Sequence, residues 1–273
     1  KYLPIPAQNK KKLISDKFND LIPVDQSDDS SVFKNKIDKQ LYRIRLALKS
    51  LNHNDKEGML FYQELNPFWH STILPFWDDS TEKLDKEQLS DKTLLEYKKA
   101  MILYGPPGTS KSYQARKMAE GMIAEALRKN SENISKAISS LQTTIDSHIH
   151  VLQMHPNYTY DDFIIGKSID NGKIVVKPGK MLQIIKGIEK DNSIPHFVIL
   201  DEINRVDISR VFGELFTAME TSYRNKGVEL SVNIKDIPEA ERCGLHSEDG
   251  KLYLKVPNNM YFIGTMNMID FSL

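Results

Sequence analysis

Three groups of side chains in this chain have the types needed to bind and cleave a nucleoside triphosphate. They are a glycine- and proline-rich loop that ends in Lys111 and Ser112, a pair of carboxylates at Asp201 and Glu202, and an amide at Asn267. A lysine neutralises phosphate charge, a hydroxyl and a carboxylate hold Mg²⁺, and a second carboxylate orients and deprotonates water. The three groups predict phosphoryl chemistry if the fold brings them together.

The loop directly follows the apolar residues 101–104, which are typical of a buried strand. Its N–H groups and those of the next helix would converge on phosphate oxygens, helped by the positive end of the helix dipole. The strict pattern has Gly where Ser110 stands, and Ser is harmless there if the position is already helical and needs no positive φ. The alternative is a surface turn that happens to precede Lys-Ser. The residues expected to contact nucleotide are Gly105, Pro106, Pro107, Gly108, Thr109, Ser110, Lys111, Ser112 and Tyr113.

The two carboxylates directly follow the four apolar residues 197–200, as expected of a buried central strand that ends at a ligand site. Asp201 would hold Mg²⁺ through water, together with the Ser112 hydroxyl. Glu202 would orient and deprotonate the attacking water. Two carboxylates after an apolar strand also occur by chance, so the prediction depends on the upstream loop.

Asn267 lies at the end of a further strand-like segment, which includes residues 260–264. Ligands of open α/β sheets lie at the carboxyl ends of the strands. We therefore expect Asn267 to act with Glu202 and Lys111 in catalysis, by a hydrogen bond to the γ-phosphate or to the attacking water. The alternative is that Asn267 only turns the chain.

From about residue 99 to residue 273, strand-like and helical segments alternate, which predicts an α/β fold with a central parallel sheet flanked by helices. The predicted strands are 101–104, 148–153, 174–176 after a turn at 171–172, 197–200 and 260–264, and the predicted helices are 111–126, 180–190 and 209–223. Residues 128–146 are either a continuation of the first of these helices or an insertion. Residues 228–256 have a hairpin-like pattern.

Residues 1–98 form a different region, which is polar, interrupted by prolines and predicted to contain an amphipathic helix near residues 36–51. We interpret it as a mostly helical amino-terminal and linker region. Its aromatic residues form a binding surface, a small core or a seam against the next domain. They are Phe61, Tyr62, Phe68, Trp69, Phe76 and Trp77.

Composition excludes several other classes of protein. The 273 residues are 40% hydrophobic, and 37 basic residues balance 37 acidic ones, so no global field attracts nucleic acid or an anionic membrane. The single cysteine, Cys243, excludes an internal disulfide framework, and the apolar segments are too short to span a bilayer. We expect a cytoplasmic protein. Because the chain begins at Lys1 and stops after a strand-like segment, we also expect it to be part of a longer one.

Several motifs in this order resemble the AAA+ module of McrB-type proteins, the motor subunit of modification-dependent restriction systems. The resemblance covers about residues 100–273. The matching stretches are Gly105–Thr109, His155–Phe163, Lys177–Gly179, Asp201–Arg205, Phe212–Leu215 and Gly264–Asn267 with Asp270. Phe271 stands where the family commonly has Arg.

The resemblance implies a P-loop AAA+ large subdomain whose helical lid and arginine fingers lie beyond Leu273. It also implies a hexameric ring, use of Mg²⁺ with GTP in preference to ATP, an McrC-like nuclease partner, and DNA reached through the assembled complex. Asn267 would be the first sensor, and Asp270 closes the signature stretch. Arg205 would reach a neighbouring subunit's site, or would instead form a salt bridge to a nearby acidic helix.

Two other functions stay open at this point. One is an ATP-dependent MoxR-like remodelling factor with the same fold and no nuclease partner. The other is a nucleotide-bound scaffold with little hydrolysis, which the substituted positions Ser110 and Phe271 suggest. His155 would touch nucleic acid or a partner, or would have a structural hydrogen-bonding role, and Tyr158 and Tyr160 would be packing residues with polar tips.

Overall fold

A computed structural model describes residues 8–21, 36–51, 73–77, 91–170, 173–188, 193–224, 226–231 and 245–268. The chain divides into two compact units. The helical unit comprises residues 1–87 and 120–147, and the sheet unit comprises residues 88–119 and 148–273.

The helices of the described residues are α1 (Gln8–Lys17), α2 (Lys36–Leu51), α3 (Asp91–Lys98), α4 (Lys111–Asn130), α5 (Ile134–His148), α6 (Tyr160–Phe163), α7 (Lys180–Ile188), α8 (Ile208–Phe212) and α9 (Leu215–Met219), with 3-10 turns at Asn19–Leu21, Leu74–Phe76 and Ile203–Arg205. The strands are β1 (Ala100–Gly105), β2 (Ile149–Gln153), β3 (Ile165–Asp170), β4 (Lys173–Pro178), β5 (His196–Asp201), β6 (Val228–Glu229), β7 (Leu245–Glu248), β8 (Lys251–Leu254) and β9 (Met260–Asn267). No helix among these residues is long and apolar enough to cross a membrane.

The helical unit confirms the amphipathic helix predicted near residues 36–51. Leu41, Ile44 and Leu48 recur at helical spacing on α2 and are buried. Phe76 and Trp77 are buried as well, as expected of a small core. The other four aromatic residues of that group lie outside the described residues.

Residues 128–146 are mostly a second helix rather than one continuous extension of α4. The chain leaves α4 after Asn130, and α5 begins at Ile134. The Asn133 side-chain oxygen accepts a hydrogen bond from the N–H of Lys136 at 3.2 Å, which caps the new helix. The apolar side of α5 includes the buried residues Ala137, Ile138, Leu141 and Ile145.

The sheet unit is built on a four-stranded parallel sheet with the order β1-β9-β5-β2. The central position of β5 explains its continuous apolar run, because both of its faces are covered. Residues 197–200 are all at most 2% exposed. The sequence prediction of a parallel sheet flanked by helices is confirmed, and β9 lies between the loop strand β1 and the acidic strand β5.

Two antiparallel elements accompany the parallel sheet. The predicted strand at 174–176 belongs to β4, which pairs with β3, while the turn at 171–172 lies outside the described residues. The hairpin-like pattern of residues 228–256 is confirmed as a small sheet with the order β6-β8-β7. Gly179, between β4 and α7, is required by close packing, since a Cβ there would lie 2.5 Å from the carbonyl carbon of Phe163.

The single helix predicted for residues 209–223 is wrong, because the chain breaks into α8 and α9 at Gly213. Gly213 has φ 48°, a conformation that other residues rarely adopt. A Cβ at this position would also lie 2.7 Å from a ring carbon of Tyr160. Periodicity alone could not reveal this break, since the apolar spacing continues through it.

Arg224 anchors the chain after α9 to the beginning of β9. The side chain is 1% exposed, and it donates hydrogen bonds to the carbonyl oxygens of Met219, Pro257 and Met260 at 2.7–2.8 Å. Burial lowers the pKa of the guanidinium to about 10. The three carbonyl acceptors therefore compensate the burial of this cation. Two of them, from Pro257 and Met260, hold in place the beginning of β9, the strand that ends at Asn267.

Candidate functional site

The carboxyl ends of β1, β9 and β5 lie side by side and bring the three predicted groups to one edge of the sheet. The parallel register pairs Gly105 at the start of the loop with Asn267. Hydrogen bonds join Asp201 to Ser112 and to Thr265. The loop, the acidic pair and the amide are thus parts of a single site.

The loop turns back on its own lysine. Lys111 is 9% exposed, and its Nζ donates to the carbonyl oxygens of Gly105 at 3.1 Å and Pro106 at 2.7 Å and to Thr109 Oγ1 at 3.3 Å. The loop also needs a left-handed turn at Gly108, which has φ 79°. The ammonium group is therefore held inside the loop, at the positive amino terminus of α4, where a phosphate would be attracted.

Ser110 does not have the helical conformation that would make it harmless. Its φ is 57°, in the left-handed region. Its carbonyl oxygen accepts the hydrogen bond of the Gln114 N–H at 2.9 Å, so Ser110 is the residue from which α4 starts. The condition under which Ser would be harmless is not met, and the replacement of Gly by Ser at this position has a conformational cost.

Ser112 and Asp201 present the oxygen ligands that Mg²⁺ prefers. Ser112 Oγ donates to Asp201 Oδ1 at 2.6 Å, across the space between α4 and β5. No group of three or more His, Cys, Asp and Glu side chains is arranged for a metal in the part of the chain that the structure describes. A hydroxyl and one carboxylate fit a Mg²⁺ that is shared with the phosphates, and do not fit a metal held by the protein alone.

Glu202 occupies a strained position directly after β5. Its φ of 55° and ψ of 47° are left-handed, which costs a non-glycine residue on the order of 1–3 kcal/mol and is typical of functional sites. The Glu202 N–H donates to Thr265 Oγ1 at 3.1 Å. Asn267 Nδ2 lies 3.4 Å from Glu202 Oε1, a long contact, so the amide lies beside the predicted base.

Arg205 forms an ion pair with Glu202 of the same chain, through Nε and Oε2. Of the two alternatives for this arginine, the described structure therefore has a salt bridge, but with the predicted base rather than with an acidic helix. The arginine side chain is 55% exposed and the glutamate side chain is 20% exposed. The pair is accessible, so the arginine can exchange one anionic partner for another.

Thr265 is the site residue that the sequence analysis missed. It is 2% exposed and forms hydrogen bonds with both residues of the acidic pair, which lie at the end of a different strand and directly after it. The available signal was its position two residues before Asn267, because alternate residues of a strand face the same side. Tyr113, by contrast, is 52% exposed on the first turn of α4. Asp270 and Phe271 lie outside the described residues.

The stretch from His155 to Phe163 packs against the Phe212–Leu215 segment. Tyr160 Oη donates to Glu214 Oε2 at 2.8 Å, and burial, followed by this hydrogen bond, raises the pKa of the tyrosine. The His155 ring lies edge-on to Tyr158 with centroids 5.2 Å apart. The interpretation of both tyrosines as packing residues with polar tips is confirmed.

With Lys111 at the start of α4 and Asp201 hydrogen-bonded to Ser112 of that helix, the sheet unit has the architecture of a P-loop nucleoside triphosphatase. Residues 100–273 match the family described as the AAA domain (dynein-related subfamily), and the chain belongs to that family.

Among curated proteins, the chain is similar to the EcoKMcrB subunit of the type IV methyl-directed restriction enzyme of Escherichia coli (strain K12), with 31% identity over 179 residues. The aligned region is 66% of this chain and 32% of that protein, so the chain spans about a third of the length of this relative. The resemblance to McrB-type proteins is confirmed. Among solved structures, a candidate ATPase from Cytophaga hutchinsonii matches 83% of this chain and 49% of its own with 16% identity and a TM-score of 0.31, too low to support an argument.

Proposed function

We propose that the protein is a Mg²⁺-dependent nucleoside triphosphatase that prefers GTP and works as the ring-forming motor subunit of an McrBC-like DNA restriction complex. The observation that supports the enzymatic part is the meeting of Lys111, the Ser112–Asp201 pair and the Glu202–Asn267 pair at one sheet edge. In this proposal residues 1–98 are the amino-terminal region, and residues 99–273 are the AAA+ large subdomain.

The loop would bind the triphosphate. Lys111 would exchange its three loop acceptors for phosphate oxygens, and the first N–H groups of α4, which have no intrahelical acceptor, would donate to the same phosphates. Ser112 would hold Mg²⁺ directly and Asp201 would hold it through water, and the ion would neutralise charge on the β- and γ-phosphates.

Glu202 would accept the proton of the attacking water, and Asn267 would orient that water or the γ-phosphate. In the described structure the Glu202 carboxylate is already paired with Arg205. Because Arg205 holds a carboxylate oxygen of Glu202, we expect that rapid turnover requires Arg205 to release Glu202. In a hexameric ring Arg205 would turn to a neighbouring subunit's site, and Asp270 would complete the signature around Asn267.

The more specific parts of the proposal rest on similarity. The matched relative is named as a subunit of a methyl-directed restriction enzyme. On that basis we propose an McrC-like nuclease as the partner and DNA as the target of the assembled complex. The Arg205–Glu202 pair favours one second candidate, a nucleotide-bound scaffold that hydrolyses little.

The test is nucleotide binding by the full-length protein and its Lys111→Ala variant, measured with fluorescent GTP and ATP analogues. Loss of a charge-assisted contact to phosphate should weaken binding by about tenfold to a hundredfold. Lys129→Ala is the matched control, because Lys129 lies at the far end of the same helix, where its Nζ pairs with Glu125 Oε1 at 2.9 Å. Unchanged binding by Lys111→Ala would refute the proposed site, and a clear preference for ATP would refute the GTP assignment.

A further inference from the structure

Thr265 stands between the two halves of the proposed site. Its Oγ1 donates to Asp201 Oδ1 at 2.5 Å and accepts the N–H of Glu202 at 3.1 Å. The residue is 2% exposed, so water does not compete for either bond. The buried Thr265 hydroxyl thus donates its only proton to the metal-binding carboxylate of Asp201, and one of its lone pairs accepts the backbone N–H of Glu202, the predicted base.

The first bond restricts the Asp201 carboxylate. Asp201 Oδ1 accepts two hydroxyl protons, one from Ser112 at 2.6 Å and one from Thr265. Ser112 is itself a predicted Mg²⁺ ligand, so its hydroxyl cannot serve only to hold Asp201. Thr265 has no such second task and can hold the carboxylate in one orientation whether or not a metal is bound. Groups that orient a metal-binding carboxylate in this way affect metal affinity although they do not touch the metal.

The second bond stabilises the backbone of Glu202. A left-handed glutamate persists only where the surrounding structure determines its conformation. The bond from its own N–H to Thr265 Oγ1 is a direct means of doing so. Without that bond the Glu202 backbone can relax, and its carboxylate would move away from Asn267, which lies at 3.4 Å.

We propose that Thr265 is a positioning residue that couples Asp201, the metal-binding carboxylate, to Glu202, the general base. The inference rests on the proposed function, because it assigns a role within the same site. In this role Thr265 acts through the two residues to which it is hydrogen-bonded.

The test compares Thr265→Val, which keeps the shape and removes the hydroxyl, with Thr265→Ser, which keeps the hydroxyl. In the full-length protein we measure GTP turnover, and we measure the affinity for a fluorescent GTP analogue in EDTA and in Mg²⁺. Thr265→Val should lose about tenfold to a hundredfold in turnover and in the Mg²⁺-dependent part of the affinity. Its affinity in EDTA should stay close to that of the wild type, because the loop and Lys111 are unchanged. Thr265→Ser should recover most of both losses.

Thr144→Val is the matched control for loss of a threonine hydroxyl away from the site, since Thr144 Oγ1 donates to the Ser140 carbonyl within α5. If Thr265→Val does not fold, as judged by its melting temperature, Thr265→Ala and Thr265→Ser give the same comparison, because both lack the methyl group and differ in the hydroxyl.

Two results would overturn the proposal. One is wild-type turnover and wild-type Mg²⁺ dependence in the variant that lacks the hydroxyl. The other is an equal loss in Thr265→Val and Thr265→Ser, which would assign the effect to packing. Either result leaves the proposed function intact if the wild type binds and hydrolyses nucleotide. A wild type that binds neither triphosphate refutes the proposed function itself, and with it this role.

Discussion

Replacing Ser110 with Gly should stabilise the protein, since Ser110 has a φ of 57° in the phosphate-binding loop. The left-handed conformation costs a residue with a Cβ about 1–2 kcal/mol. Gly removes that cost, but it lowers the free energy of unfolding by about 0.5–1 kcal/mol, because a Gly residue loses more conformational entropy on folding. The difference between the two terms is a gain of about 0.5–1 kcal/mol in the free energy of unfolding.

Thermal unfolding of the full-length protein without nucleotide measures this gain. For a domain of this size, Ser110→Gly should raise the melting temperature by about 1–4 °C. Ser139→Gly provides a control of opposite sign. Ser139 is exposed in the interior of α5, where Gly should lower the free energy of unfolding by about 0.5 kcal/mol.

A Ser110→Gly variant that melts at or below the wild-type temperature, with the Ser139→Gly control destabilised as expected, would refute the reasoning. It would mean that Ser110 is not left-handed in the folded protein. Ser at this position would then be harmless, as it is in a helical conformation that needs no positive φ.

Three further predictions concern other parts of the molecule. Arg205→Ala should change the melting temperature little, because a pair this exposed contributes about 0–1 kcal/mol. It should raise the basal turnover of the protein outside a ring by freeing Glu202, and slower turnover there would contradict this prediction. Gly179→Ala should lower the free energy of unfolding of the sheet unit by about 1–3 kcal/mol, since the added Cβ meets the Phe163 backbone. Urea unfolding measures this loss, and a variant as stable as the wild type would contradict the prediction. Burial, followed by the nearby His148 and Lys180, lowers the pKa of His150, so the unfolded chain binds more protons and the free energy of unfolding should fall as pH drops below 6.5. His150→Gln should make the free energy of unfolding depend less steeply on pH in this range. An unchanged pH dependence in this variant would contradict the assignment to His150.

The sequence predicted the parallel sheet and the meeting of the three groups because both follow from strong local signals. An apolar run such as residues 197–200 can only be a buried strand or helix segment, and the carboxylates directly after it must lie where that strand ends. Residues 36–51 were predictable as a helix because their apolar residues recur at helical spacing.

The features that sequence reasoning missed depend on contacts between distant residues. The break falls at Gly213, where the Tyr160 ring, which is far away in sequence, occupies the space that a side chain would need. The left-handed conformation of Ser110 and the two bonds of Thr265 depend on how the loop, β5 and β9 meet. Apart from the strand alternation that places Thr265 on the same side as Asn267, no local sequence pattern specifies such contacts.

The most direct test of the central claim is hydrolysis by the full-length protein and its Glu202→Gln variant, with nucleotide affinity measured on both. Gln keeps the shape of Glu202 and the possible contact with Asn267, but it cannot accept a proton. The account predicts that Glu202→Gln binds GTP with near wild-type affinity and hydrolyses it about 10²–10⁴-fold more slowly. Wild-type turnover by this variant would contradict the assignment of Glu202 as the general base of a nucleoside triphosphatase.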